Sequence, residues 1–466
     1  MDWLEQELFA LSGTDRFTVR QACEGVQIFG GIGSGKSSGS GATIARSYLA
    51  VGMGGLVLTA KPDERKQWEQ YAAETGRTAD LVVFDASGQY GFNFLRYEMQ
   101  RPGAGGGYSG NVVRLFTNIV EAVEGQKSGG GDNQFWIMAM QQLIRNAVDL
   151  CFTARGKVSL PMLYDVVQSA PRSIEELYSE AWQESSLVNA LVNEAIEGED
   201  GRDRWMQHDF DAAARYWMSE FPQMDERVRS SIISQFTTMA GNFIRRPFRQ
   251  LFCHKTTLLP ELCFEGKIII LDLPVKEFAA AGRAAQVMFK FIWQQAMERR
   301  DVTRHPRPVF LWADEAQNFV SEYDMQFQAT ARSSRCCTVY ITQNLPNYYA
   351  EMGTHAKDRT HSLVGNFATK IWHANSDPET NRQAAETIGR SWQQKKSSGM
   401  NLGSGGAGTS SNVSWQFEYD VPPQAFTMLK KGGPDNGLEV EAIVFQNGRI
   451  FDHSEKTNLQ TVFHQQ

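Results

Sequence analysis

Residues 26–45 read VQIFGGIGSGKSSGSGATIA, and they decide how the rest of the chain is interpreted. An apolar run, a glycine-rich turn and a run of small residues follow one another, which predicts a buried strand, a loop and the start of a helix. The loop fits the pattern GxxxxGK[ST] in full, with Gly30, Gly35, Lys36 and Ser37 at the fixed positions. The stretch therefore predicts a phosphate-binding loop (P-loop) for a nucleoside triphosphate.

Each residue type in this loop has a chemical reason. Glycines let the backbone turn tightly so that its N–H groups face a phosphate chain, and the following helix adds the positive end of its dipole. Lys36 would reach the β- and γ-phosphates, and Ser37 would ligate Mg²⁺. We predict ATP and Mg²⁺ as cofactors, bound by Gly30, Gly31, Gly33, Ser34, Gly35, Lys36, Ser37 and Ser38. The alternative is a glycine-rich connection with an incidental lysine.

Composition bounds the class of protein. The chain has 466 residues, 42% apolar and 21% charged, with a formal net charge of −7. These values are typical of a globular protein and argue against a surface that coats nucleic acid generally, although a local basic channel stays compatible with them. Its 6 cysteines form no CxxC pair, and the histidines show no ligand spacing, so no structural metal beyond Mg²⁺ is expected.

The sequence shows neither a signal peptide nor a membrane span. The first ten residues, MDWLEQELFA, are acidic and lack a continuous apolar run. The longest apolar runs are far shorter than the roughly 18 residues that a span needs. We expect a cytoplasmic protein, or one that partners recruit to the inner membrane.

Short apolar runs alternate with helical patterns along much of the chain. This alternation predicts an α/β fold with a mostly parallel sheet covered on both faces. The predicted strands begin at Val26, Gly55, Asp80, Lys267, Val309 and Thr338. Residues 111–255 interrupt the alternation with helical patterns only, which predicts an all-helical domain inserted between the two parts, 1–110 and 256–466, of a nucleotide-binding domain.

The last part of the chain contains a low-complexity segment, 397–412, rich in glycine and serine. This composition predicts a flexible loop. The apolar stretches VSWQFEYDVPP, from 413, and LEVEAIVFQNGRIFD, from 438, are predicted to form antiparallel edge strands.

A P-loop needs an acidic residue at the end of another strand to orient the metal. VFLWADEAQ ends in the pair Asp314 and Glu315, whereas IIILDLP ends in Asp272 with no second acid beside it. An adjacent acid pair suits hydrolysis, so we assign Asp314 to Mg²⁺ and Glu315 to the attacking water. Asp272 is then a residue of the strand end or turn.

Polar residues around the strand TVYITQ complete the predicted site. Gln343 ends this strand, where an amide can sense the γ-phosphate, or it is an ordinary strand-terminal residue. Arg332 and Arg335 precede the strand. Either is a candidate arginine finger for the nucleotide of a neighbouring subunit, or a solvated arginine.

The order of motifs resembles the conjugative coupling ATPases of type IV secretion systems, in the HerA–FtsK branch of RecA-like motors. The similarity runs from about Thr18 to Phe451. Its motifs, in order, are GGIGSGKS at 30–37, TAKPDE at 59–64, FNFL at 92–95, GKIIILDLPVKEF at 266–278, ADEAQNF at 313–319 and ARSSRCCTVYITQN at 331–344. The P-loop alone is widespread among unrelated NTPases, whereas the combination is much more specific.

The resemblance implies a RecA-like P-loop NTPase with an inserted all-helical domain. It further implies a homo-hexamer that moves DNA or nucleoprotein through a central pore, with secretion or relaxase-type proteins as partners. It places the arginine finger, acting in trans, at Arg332 and the sensor at Gln343, and it leaves Arg335 open. The family usually has an amino-terminal membrane anchor, and only 25 residues precede Val26 here.

Two functional hypotheses follow from these observations. The first is an ATP-hydrolysing ring motor that translocates DNA for conjugation or type IV secretion. The alternative is a nucleotide-gated interaction ATPase that recruits a protein cargo or partner, including a soluble relative adapted to defence or DNA processing. Stimulation of ATP hydrolysis by DNA would favour the first, and stimulation only by a protein would favour the second.

Overall fold

A computed structural model describes residues 3–124, 131–198, 201–403 and 406–465. A nine-stranded sheet forms the centre of the described chain. The strands of the described residues are β1 Glu7–Ala10, β2 Arg16–Thr18, β3 Val26–Phe29, β4 Gly54–Leu58, β5 Leu81–Asp85, β6 Ile268–Asp272, β7 Val309–Ala313, β8 Cys336–Thr342, β9 Thr369–Trp372, β10 Arg390–Gly403, β11 Gly406–Tyr419, β12 Glu439–Gln446 and β13 Asn458–His464.

The strand order of the main sheet is β13-β12-β9-β3-β8-β7-β4-β6-β5. The seven strands from β9 to β5 are parallel to one another, whereas β12 is antiparallel to both β9 and β13. Two smaller sheets consist of the pairs β1–β2 and β10–β11. The P-loop strand β3 therefore lies inside the sheet, with β8 between it and β7.

Apolar side chains lie on both faces of the sheet, which explains why its strands are continuous apolar runs. In β4, Leu56 and Leu58 belong to one hydrophobic core and Val57 to the other. In β6, Ile269 belongs to the first core and Ile270 to the second. Helices cover both cores, as the alternation of strands and helices predicts.

The helices from Phe94 to Phe252 lie between β5 and β6 along the chain, and the described residues of this stretch contain no strand. The boundaries of the inserted domain, 111–255, stay a prediction. The helices are α1 Val19–Ala22, α2 Ala42–Ala50, α3 Glu64–Glu74, α4 Phe94–Gln100, α5 Ser109–Glu124, α6 Gly131–Arg155, α7 Leu160–Gln168, α8 Ile174–Leu177, α9 Glu180–Ser185, α10 Leu187–Glu197, α11 Arg204–Arg215, α12 Phe221–Gln223, α13 Glu226–Gly241, α14 Phe248–Phe252, α15 Val275–Arg299, α16 Glu322–Thr330, α17 Leu345–Met352, α18 Ala356–Gly365, α19 Pro378–Ile388 and α20 Ala425–Met428.

Polar side chains cap the starts of several helices in this region. Ser159, Ser173 and Ser186 accept hydrogen bonds from backbone N–H groups in the first turns of α7, α8 and α10. Asp203 and Asp225 do the same for α11 and α13. Such caps satisfy N–H groups that have no partner within the helix. Among the described residues, no helix is both long and apolar enough to cross a bilayer.

The structure corrects the prediction of a flexible loop at 397–412. Strands β10 and β11 pair in a continuous antiparallel register from Arg390–Tyr419 to Gly403–Gly406, and residues 404 and 405 lie outside the described residues. The stretch VSWQFEY therefore belongs to a separate hairpin and not to an edge of the main sheet. LEVEAIVFQ does supply an antiparallel strand, β12, but β13 is the edge strand beyond it.

Strand β9 was absent from the sequence prediction because a lysine interrupts its short apolar run. Lys370 is buried, its Nζ donates a hydrogen bond to the carbonyl oxygen of Phe367 at 2.6 Å, and it lies 5.8 Å from the ring centroid of Phe445. Burial lowers the pKa of Lys370 to about 8. A local pattern does not reveal such a tertiary environment.

A buried ion pair joins α15 to α16 and contacts strand β8. Lys290 donates to a carboxylate oxygen of Asp324, and Tyr340 Oη donates to the other oxygen at 2.6 Å. Burial alone would raise the pKa of Asp324, but Lys290 and the hydrogen bonds hold it below its usual range. Both charged side chains are almost fully buried.

We expect Asp324→Ala to lower the free energy of unfolding by about 3–5 kcal/mol, because it leaves the charge of Lys290 buried without a partner. Chemical denaturation measures this change. The double variant Lys290→Met, Asp324→Ala should regain part of the loss. Equal stability of the single variant and the wild type would contradict a role of this ion pair in the core.

Candidate nucleotide site

The P-loop leaves the end of β3 and leads into a short π-helical turn, Ser37–Gly41, followed by α2. Gly35 has φ +81°, in the left-handed region that favours glycine. A Cβ atom at this position would lie 2.5 Å from Cγ2 of Val440 on β12. The loop thus has both the conformation and the tight space that require glycine at this position.

Neighbouring strands hold the first half of the loop in place. The N–H of Gly30 donates to the carbonyl oxygen of Gln343 at 3.3 Å, and that of Gly31 to Ala374 at 2.9 Å. The N–H of Ser34 donates to the carbonyl of Gly31 at 3.2 Å, whereas the buried hydroxyl of Ser34 has no hydrogen-bond partner among the described residues. This orphaned donor fits a loop shaped for a polar ligand.

Ser37 and Asp314 come together although 277 positions separate them. The hydroxyl of Ser37 donates to Oδ2 of Asp314 at 2.6 Å, and Oδ1 of Asp314 accepts the N–H of Glu315 at 2.8 Å. Both acidic residues follow directly after β7 and are buried. A hydroxyl and a carboxylate are the oxygen donors that Mg²⁺ prefers, so this pair fits the ion.

Three side chains hold the carboxylate of Glu315. It accepts hydrogen bonds from Gln317 Nε2 at 2.9 Å, Lys61 Nζ at 3.2 Å and Gln343 Nε2 at 3.5 Å. Burial alone would raise the pKa of Glu315, but Gln317 and the positive charges of Lys61 and Lys36 lower it below its usual value. Glu315 is therefore ionised at neutral pH. It also has a left-handed backbone conformation, with φ +50°. This conformation strains a residue with a side chain, and such strain is more frequent at functional sites.

Two residues of the site were not assigned from the sequence: Lys61 and Glu64. Both belong to TAKPDE, which follows β4 directly, and β4 is the neighbour of β7. Their position after a buried strand was the available signal. Burial, with the nearby charge of Asp314, raises the pKa of Glu64 to about 8.

The structure separates Asp272 from this group. Asp272 pairs with Arg65 at 3.1 Å at the end of β6, and β4 lies between β6 and β7. Ser38, assigned above to the nucleotide, accepts a hydrogen bond from Gln465 Nε2 at 2.5 Å through its hydroxyl.

Arg332 is on the surface of the chain. Its side chain is 66% exposed and pairs with Glu24 at 3.3 Å. Arg335 instead donates to the carbonyl oxygen of Pro306 at 2.8 Å. Among the described residues, Arg332 therefore pairs with Glu24 and not with a residue of the P-loop.

We compared the sequence and the fold of this chain with those of known proteins. Residues 308–422 match the family model described as "TraM recognition site of TraD and TraG". The solved structure of plasmid coupling protein TrwB in complex with ADP and Mg²⁺ superposes with a TM-score of 0.60 at 13% identity, over 100% of this chain and 91% of that chain. This chain has the coupling-protein fold. TrwB in complex with the non-hydrolysable GTP analogue GDPNP gives a TM-score of 0.62 at 12% identity, over the same shares of the two chains. No curated protein matches the chain in sequence.

The coupling-protein fold confirms the predicted RecA-like α/β architecture and the resemblance to the conjugative coupling ATPases. The matched segment 308–422 runs from just before β7 to just after β11. It therefore contains Asp314, Glu315, Arg332 and Gln343, whose assigned roles remain predictions.

Proposed function

We propose that this chain is an ATP-hydrolysing ring motor of the coupling-protein type, which binds and translocates DNA or nucleoprotein in conjugation or type IV secretion. The observation that carries the proposal is the 2.6 Å hydrogen bond from Ser37 to Asp314, with the carboxylate of Glu315 next to this pair. This hydrogen bond brings the P-loop next to the acid pair, which supports the assignment of Mg²⁺ binding and water activation to this site.

The residues divide the chemistry among them. Backbone N–H groups of the loop and buried Lys36 would hold the phosphates, and Ser37 and Asp314 would hold Mg²⁺. When bound, the ion neutralises charge on the phosphates during transfer. Glu315 would orient the attacking water and accept its proton, and Gln343, which already donates to Glu315, would sense the γ-phosphate.

The relatives support the substrate and the partners. TrwB is a conjugative coupling protein and has been solved with ADP and Mg²⁺. The family model names a recognition site for the protein TraM. By analogy, we propose protein partners for this chain, and a homo-hexamer in which exposed Arg332 reaches the nucleotide of the next subunit.

Steady-state ATP hydrolysis with and without DNA tests the proposal. We expect single- or double-stranded DNA to stimulate hydrolysis, and we expect Lys36→Ala to abolish it because the phosphates lose their buried positive charge. Lys66→Ala, at an exposed lysine of α3, is the matched control and should retain full activity. Hydrolysis that ignores DNA and responds only to a protein partner would replace the motor with the nucleotide-gated alternative.

A further inference from the structure

The β10–β11 hairpin carries large exposed apolar side chains. The two strands pair with each other and with no other strand of the described chain. The exposed fractions are 65% for Trp392, 61% for Trp415, 53% for Phe417 and 45% for Val413. Surfaces of this kind mark binding sites more often than chance, because water contact with several large apolar groups is unfavourable.

These side chains lie on one face of the hairpin. Trp392 is opposite Phe417, and Trp415 is opposite Gln394 in the antiparallel register. Side chains alternate between the two faces of a strand, so positions 390, 392, 394 and 396 share a face with 413, 415, 417 and 419. We call this surface, formed by Arg390, Trp392, Gln394, Lys396, Val413, Trp415, Phe417 and Tyr419, the aromatic face.

The charges on the aromatic face are positive. Arg390 lies 4.1 Å over the ring of Tyr419 and donates to its hydroxyl at 2.7 Å, and Lys396 lies further along the strand. The eight residues of this face include no carboxylate. Glu418, the acidic residue of the described hairpin stem, lies on the opposite face and pairs with Lys395 at 2.6 Å.

We propose that the aromatic face binds single-stranded nucleic acid by stacking its bases on Trp392, Trp415 and Phe417. Proteins that bind single strands combine aromatic rings, on which bases stack, with cations that follow the backbone. Arg390 and Lys396 would contact phosphates on either side of the rings. The proposal rests on the proposed function, since it names the form of nucleic acid that the motor engages outside its nucleotide site.

The spacing of the rings fits an unstacked strand. Trp392 and Phe417 form one cross-strand pair, with centroids 5.4 Å apart, and Trp415 lies two positions before Phe417 on β11. Two residues of a strand span about 6.7 Å, so successive bases of an extended chain can reach the pair and then Trp415. Duplex bases are stacked on each other and offer no free face, so the aromatic face should prefer single strands.

The positive charges of the aromatic face favour nucleic acid over the other candidate ligands. The hairpin lies within residues 308–422, which match a protein-recognition family, so a protein partner competes for the same face. A second copy of this chain competes as well. Cations at both ends of the aromatic rings, with no acid among them, complement a phosphate backbone better than the mixed charges of a protein surface.

The test is the affinity of the full chain for fluorescein-labelled oligothymidylate, measured by fluorescence anisotropy without nucleotide. We expect Trp392→Ala, Trp415→Ala to weaken binding by at least about tenfold, since each stacked base contributes substantially. Trp205→Ala is the matched control, because Trp205 is 74% exposed on α11 of the helical region. Lys396→Ala should remove one phosphate contact and so reduce the slope of the logarithm of the binding constant against the logarithm of the salt concentration by about one.

Several outcomes would overturn the proposal. Unchanged affinity of the double variant, or equal competition by duplex DNA, would reject a single-strand stacking surface. A double variant that binds oligothymidylate normally but loses self-association in sedimentation would make the face a subunit contact. A variant that loses only partner binding would make it a protein site.

The assay separates this proposal from the proposed motor. Binding without nucleotide does not require hydrolysis. If the wild type shows no ATPase activity but binds oligothymidylate, and the double variant loses that binding, the motor is refuted and the aromatic face is supported. DNA-stimulated hydrolysis with unchanged oligothymidylate affinity in the double variant would support the motor and reject the face. Because the substituted rings are exposed, thermal unfolding should confirm that the variant folds normally.

Discussion

Glu315→Gln is expected to retain ATP binding and to lower the turnover number by about 10³-fold. Glutamine has nearly the shape of glutamate, so the phosphate-binding loop and the pair formed by Ser37 and Asp314 stay intact. The amide cannot accept the proton of the attacking water, which is the role we propose for Glu315. The loss should therefore fall on the chemical step and not on binding.

Two measurements separate these effects. Binding of a fluorescent ATP analogue reports the affinity, and steady-state phosphate release reports the turnover. Glu386→Gln, at an exposed carboxylate of α19, is the matched control and should leave both unchanged. Normal turnover in Glu315→Gln would reject Glu315 as the residue that activates water, and buried Glu64 would become the next acid to test.

The six strands predicted from continuous apolar runs are all present in the structure. The prediction succeeded because strands of a parallel sheet are buried on both faces and therefore do not alternate apolar with polar residues. The same rule explains why Asp314 and Glu315 could be found: polar residues that follow a buried strand of a parallel sheet share its functional edge. Strand β9 escaped this rule because Lys370 is buried within it. The hairpin escaped because glycine and serine, which predict a loop, here pair across two strands.

The sequence patterns did not predict the contacts between distant segments of the chain. Lys61 lies 3.2 Å from Glu315 because β4 and β7 are neighbours in the sheet, and no local pattern gives that adjacency. Gln465 reaches Ser38 for a similar reason, since β13 precedes it at the other edge of the sheet. Motifs thus predicted residues that the structure brings together, such as Ser37 and Asp314, whose chemical roles stay predictions. Tertiary contacts determine which other residues restrain them.

Arg332→Ala is expected to lower the turnover of the assembled motor by about 10³-fold, with ATP affinity nearly unchanged, because an arginine finger stabilises charge that develops only during phosphoryl transfer. The exposed position of Arg332 suits this role, because its charged partner among the described residues is Glu24, at the surface. Arg304→Ala, at a side chain 82% exposed on the surface, is the matched control and should retain turnover.

Mixing two inactive variants distinguishes a finger that acts between subunits from one that acts within its own chain. In a mixed ring, a subunit with Arg332→Ala still contributes its P-loop and Glu315, while a neighbour with Glu315→Gln still contributes Arg332. Interfaces of this kind are complete, so the mixture should hydrolyse ATP although each variant alone does not. Failure to recover activity, in mixtures that assemble normally, would show that Arg332 does not act in trans.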